Sequence, residues 1–161
     1  MPLISKFWDE ENIKLPQIND KLIELAENKL GFKLPKLFIE LLKIQNGGHT
    51  KGFVFPMNVE TTWSKNHIPF DEMYGISIDS SVSSALSILD TEYLTQEWQL
   101  PEKQVVLCGD GHWWITLDYR KSGIPTISWI DVECQEEVQV ADSFEDFFNG
   151  LVLAKEFDYE D

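Results

Sequence analysis

Residues 19–48, NDKLIELAENKLGFKLPKLFIELLKIQNGG, read as two short amphipathic helices broken at Gly31, at Leu34-Pro35 and at Asn46-Gly47-Gly48. Ile18 precedes Asn19, whose side chain suits a helix N-cap, and Asp20 favours the positive end of the helix. Leu22, Leu25, Ala26 and Leu30 then recur at helical spacing until Gly31 stops the run. Pro35 falls in a first turn, where a missing N–H costs nothing, and Phe38, Leu41, Leu42 and Gln45 form the next stripe, with Gly47 as its left-handed stop. The stretch carries no nucleophile, metal cluster or phosphate loop, so it speaks for an architecture and leaves activity open.

Working outward, GFVFP at 52–56 predicts a short strand, and the polar stretch from there to about Tyr74, with Pro56, Trp63, Pro69 and Phe70, reads as a long loop. Loops of that length in a compact domain tend to be functional or mobile. A short strand is expected at Tyr74–Ile78. A helix follows between Ser83 and Trp98, capped by the serine cluster, with Leu86, Leu89, Leu94 and Trp98 roughly in phase. VVLC at 105–108, Gly109-Asp110-Gly111 and WWITLDY at 113–119 make a hairpin signal, because Asp-Gly tolerates the positive φ of a tight turn. TISWI at 126–130 pairs on after Ser122-Gly123-Ile124-Pro125, and residues 138–140 add a further strand. Ser143 caps a last helix whose apolar face is Phe144, Phe147, Phe148 and Leu151, with Asp146 near its positive end. The pattern is α+β: a single domain over 1–161 with its core at about 18–152, a mainly antiparallel sheet with helices packed on one face, and an acidic tail at 153–161 whose acids begin at Glu156.

The chain has 161 residues, 43% of them hydrophobic, with ten Phe and six Trp, which suffices for one core and argues against disorder. The N-terminus has neither the basic start nor the apolar run of a signal peptide, and no apolar run could span a bilayer, so a cytoplasmic protein is expected. The formal net charge is −15, and it is unevenly spread. Residues 1–51 hold 8 Lys against 7 acids, whereas residues 52–161 hold 5 Lys or Arg against 21 acids. Such a field repels phosphates and anionic lipid, which disfavours nucleic acid and membrane as partners, so neither is expected, and it attracts a basic protein. Solubility alone also explains an acid excess.

Conventional chemistry is sparse. His49, His67 and His112 lack the i, i+4 spacing of a helical zinc pair, and Cys108 and Cys134 lie far apart, so no metal, disulfide or cofactor is expected. Cys108 lies in an apolar strand, where a thiol behaves as a small hydrophobe. There is no G-x-S-x-G, Walker loop or dinucleotide fingerprint. Asp110 and His112, with Asp118 nearby in sequence, form the one arrangement imaginable as a hydrolase or metal-nuclease corner, and the Asp-Gly turn chemistry is by itself sufficient to account for it.

Candidate contact residues come from aromatics placed beside acids. Trp63, Phe70, Asp71, Glu72 and Tyr74 suit a protein-binding rim, or else an apolar cluster under a loop. If Trp113, Ile115 and Leu117 face the core, Trp114 lies beside Asp118 on the opposite face of the strand, where it is a contact residue if that face is open and a core residue if it is covered. Asp110 and His112, on the hairpin turn, complete the candidate set.

The motifs also carry a family resemblance. Glu27-x-x-Leu30-Gly31, Leu34-Pro35, Phe38, Leu41-Leu42 and Asn46-Gly47-Gly48 resemble the N-terminal signature of the SUKH superfamily, the group named for the fungal cell-wall regulators Smi-one and Knr-four. Gly109-Asp110-Gly111, Leu117-Asp118-Tyr119 and Ser143-Phe144-Glu145-Asp146-Phe147-Phe148 resemble that group's closing hairpin and last helix, so the likeness runs over about 18–152, with 57–100 less typical. It implies a SUKH-like α+β fold without enzymatic activity. In bacteria such a domain is often an immunity protein neutralising a polymorphic or contact-dependent toxin, frequently a nuclease, and in fungi it is a signalling scaffold. It further implies structural roles for Gly31 and Gly47 as stops, Pro35 as a helix start and Asn46 as a cap, and it transfers no contact residue. The function expected is therefore immunity against a basic toxin domain. The alternatives are an intracellular scaffold or regulator and, more remotely, a small hydrolase using Asp110, His112 and Asp118.

Overall fold

The computed structural model describes residues 2–9, 15–78 and 87–157. The two expected helices are α1, Asp20–Leu30, and α2, Lys36–Ile44. The Leu22 N–H donates to Asn19 Oδ1 at 2.8 Å, and Gly31, at φ +83°, ends α1 with its N–H on Glu27 O at 2.8 Å. Glu27 then reaches across the break, its Oε2 accepting from the Leu34 N–H at 2.7 Å, which places Pro35 just ahead of α2. The core stripe of α1 differs from the expected one. Ile23 and Ala26 are buried while Leu25 is 41% exposed, because the helix turns the 23–26 line inward rather than 22–25. In α2, Phe38, Leu41 and Leu42 are buried, as the periodicity predicts.

Gly47 and Asn46 act differently from the expected stop and cap. α2 ends at Gln45 in extended backbone, two residues before Gly47. A Cβ on Gly47, at φ +83°, would sit 2.5 Å from the backbone N of Gly75, so the glycine permits a close chain crossing. Asn46 is buried, and its Nδ2 donates to Pro16 O at 2.7 Å and to Ile76 O at 2.9 Å.

The sheet divides in two. β1, Gly48–Pro56, pairs antiparallel with β2, His67–Met73, and with the two-residue β7, Val152–Leu153. The long loop expected up to Tyr74 therefore shortens to a connection at 57–66. Its second half is strand, with Ile68, Phe70 and Met73 contributing buried side chains. The strand expected at 74–78 reduces to one bridge between Gly75 and Ser87. α3 spans Thr91–Trp98, after a 3-10 turn at Ile88–Asp90 capped by Ser87; the expected start at Ser83 and the Leu86 position lie outside the described residues, as do residues 158–161 of the tail.

The meander follows the expected order: β3, Gln104–Gly109; β4, Trp114–Asp118; β5, Thr126–Asp131; and β6, Glu136–Ala141, antiparallel throughout. Gly111, at φ +99°, makes the β3–β4 turn. The Tyr74 N–H donates to Leu107 O at 2.7 Å and ties the two sheets together. Every residue of β4 is buried, so both faces of this sheet are covered at its centre. α4, Phe144–Gly150, starts on Ser143, whose Oγ accepts from the Asp146 N–H at 3.0 Å. Its phenylalanines join an aromatic core in which Phe7 stacks on Phe53 at 5.7 Å and Phe70 meets Phe147 edge-on at 4.9 Å.

Candidate protein-binding surface

The nine candidate residues separate by burial. Phe70 is fully buried between Phe7 and Phe147, on the inward face of β2, so it belongs to the core and not to a rim. Tyr74 is buried too; its hydroxyl donates to Gly109 O at 3.3 Å, and burial pushes its ionisation up. Trp114 lies on a covered face, beside the ring of Trp98 at 6.1 Å, so the covered alternative holds for it. Asp71 is exposed and Glu72 half-buried; partial burial raises the Asp71 carboxyl and His49 draws it back.

Asp118 is a structural acid. Its carboxylate is buried and receives Arg120 Nη2 at 2.7 Å, Arg120 Nε at 3.0 Å and the Ser128 hydroxyl at 2.8 Å. Burial alone would raise its pKa, but the Arg120 and Ser128 hydrogen bonds outweigh it and bring it down to about 2. On the same face Thr116 donates to Gln104 Oε1 at 2.6 Å, so the buried polar groups of β3, β4 and β5 satisfy one another.

Asp110 and His112 remain at the surface. Asp110 Oδ1 accepts from the N–H groups of His112 at 2.9 Å and Trp113 at 3.2 Å, which fixes the turn. His112 Nδ1 lies 3.3 Å from Glu133 Oε2, and both side chains are solvent-exposed. Asp118 stands at the opposite end of β4, about 13 Å along the strand at the usual rise, so the three do not form a catalytic corner. Among the described residues no group of three or more His, Cys, Asp or Glu is placed to hold a metal ion.

What the structure does bring together is an acidic strip across the turns. The 57–66 connection leans on β5–β6: the Thr62 N–H donates to Glu136 Oε1 at 2.9 Å and its hydroxyl to Asp131 Oδ2 at 2.7 Å. Glu136 also accepts the Trp129 indole N–H at 2.9 Å. Trp63 rides on this connection, 44% exposed, with its ring edge-on to His67 at 5.1 Å. Thus Trp63, Asp131, Glu133, Glu136, His112 and Asp110 form one run of neighbours, and Trp98 approaches it at the Gly111 turn. Asp131, Glu133, Glu136 and Trp98 were not among the candidates. The signal for three of them was the acid density of DVECQEE at 131–137.

No described helix is long and apolar enough to cross a membrane. Residues 17–150 match the sequence profile of the SMI1 / KNR4 family (SUKH-1). No curated protein matches the chain.

Proposed function

The chain belongs to the SMI1 / KNR4 family (SUKH-1), and from that premise we propose that it is a non-enzymatic binding protein that acts in the cytoplasm as an immunity protein, neutralising a basic toxin domain. The observation that carries the reading is the charge imbalance of residues 52–161, 5 bases against 21 acids. Its one arginine is already engaged between Asp118 and Glu137. A nuclease toxin must present a basic surface to hold phosphate, and an acidic protein occupies that surface and is drawn to it over distance. The separation of Asp118 from Asp110 and His112 weighs against the hydrolase alternative.

The test is affinity capture from the source cell's lysate at low and high salt, which shortens the Debye length from about 10 Å at 0.1 M to about 3 Å at 1 M. Each captured protein is then expressed with and without this chain in a cell it poisons. Salt-sensitive capture of a basic protein whose growth arrest the chain relieves is the expected result. Capture of neutral or acidic partners indifferent to salt, or arrest that persists, overturns the proposal. A basic partner that arrests nothing would favour the scaffold role.

A further inference from the structure

Among the described residues, the meander leaves one long strand edge unpaired. β6 pairs with β5 on one side, and no described residue makes a backbone hydrogen bond to its other side. Of the other edges, the seven-residue β2 also pairs on one side only but carries Pro69, which has no N–H to give, and the rest are engaged or short. Leu107 O of β3 accepts from Tyr74, the Val106 N–H donates to Thr91 Oγ1 at 3.0 Å, and β7 has two residues only. A register slip against Ile127 and Ser128 leaves Val140 out of the ladder, so the regular part of the free edge is Glu136–Gln139.

Charge selects what such an edge accepts. Residues 122–154 contain seven acids and no Lys or Arg. Arg120 and Lys121 reach Glu137 and Gln139 at the middle of the strand, and Lys33 and Lys36 line a groove with Glu145. Glu133 and Glu136 lie at one end of the strand, and Asp142, Glu145 and Asp146 at the other. Antiparallel pairing of β6 with a second copy would bring the glutamate end of each chain against the aspartate end of the other, so the flanks disfavour self-association. A basic extended segment meets attraction at both ends and unpaired backbone groups between them.

We infer that the β6 edge takes a basic, extended segment of the partner as an added strand. This rests on the reading that the partner is a basic protein. The test uses the full chain labelled with nitrogen-15 and a synthetic peptide of alternating lysine and valine. The control is the same peptide N-methylated at every residue, with its charge kept and both pairing edges blocked. Expected are amide shifts and slowed hydrogen exchange confined to 136–141, with binding about tenfold weaker for the methylated peptide and a comparable loss in the surface variant E133Q/E145Q/D146N. Equal binding of both peptides, perturbation away from β6, no binding, or a dimeric free chain already protected at 136–141 would each overturn it. A basic toxin neutralised by the chain while 136–141 stays unprotected would sink the edge assignment alone. Peptide pairing on β6 with no basic partner in the cell would sink the immunity reading alone.

Discussion

Asn46 holds Ile76 by both of its backbone groups: the Ile76 N–H donates to Asn46 Oδ1 at 2.7 Å, and Asn46 Nδ2 donates to Ile76 O at 2.9 Å. The second Nδ2 hydrogen reaches Pro16 O, so one buried amide joins the segment before α1, the end of α2 and the chain leaving β2. Asn46→Ala strands two buried backbone groups of Ile76, each of which costs about 1–3 kcal/mol to leave unmade. A loss near 3 kcal/mol is expected, read as a lower urea midpoint with an unchanged m-value. Asn46→Asp keeps the acceptor but turns a carboxylate toward two carbonyls, so it should be at least as unstable at neutral pH and recover in part on acidification.

Asp118 gives the fold a pH dependence of defined sign. Its folded pKa of about 2 lies below the ordinary 3.8, so the stabilisation is complete above the unfolded value and is lost as pH falls from about 4 through 2. The span is worth about 2 kcal/mol. Asp118→Asn should therefore be less stable than the parent at pH 7 and close to it near pH 2, measured by urea titration at both pH values. Equal differences at the two would show that Asp118 acts by shape rather than by charge.

The fold was legible in the chain wherever local chemistry and tertiary need agree. The Asn19 and Ser143 caps, the Gly31 stop and the Asp-Gly hairpin all stand where turn and cap rules put them. The failures come from contacts distant in sequence. β2 hides among prolines and polar residues because its pairing with β1 supplies what local propensity lacks. Alternation along β4 sorts the two faces correctly but says nothing about whether the second is covered, which is why Trp114 and Asp118 read as contact candidates. The acidic strip was half visible: its charge density is local, whereas its assembly depends on Thr62 meeting Asp131 and Glu136.

The two thiols should separate cleanly by reactivity. Cys108 is buried in β3, and burial, then the Glu72, Asp71 and Asp110 carboxylates, hold it well above the ordinary thiol range. Cys134 is exposed in the β5–β6 turn, where reduced hydration and the neighbouring Asp131, Glu133 and Glu136 raise it as well. Since the thiolate is the nucleophile, an alkylating reagent should modify Cys134 alone in the native chain, slowly at pH 7 and faster as pH rises. Both thiols should react in urea. Native labelling of Cys108 in step with Cys134 would mean that β3 opens locally.

Phe7 lies outside the stretch that matches the family, yet it is fully buried. Its ring packs on Phe53, Phe70 and Phe148 at 5.7, 6.1 and 5.8 Å, and Trp8 donates its indole N–H to Leu41 O at 2.8 Å. The backbone docks as well: the Lys51 N–H donates to Phe7 O at 2.9 Å and the Asp9 N–H to His49 O at 3.0 Å, which lays the segment along the start of β1. An N-terminal arm that only decorated a finished domain would come away at little cost. This one supplies a central ring of the aromatic core, so Phe7→Ala opens a cavity between three phenylalanines and should cost about 3–5 kcal/mol. Trp8→Phe, which loses the hydrogen bond but keeps most of the apolar surface, should cost about 1 kcal/mol. Calorimetric melting of both variants checks the order. If Phe7→Ala melts with the parent, the family's 17–150 unit closes its core without the arm.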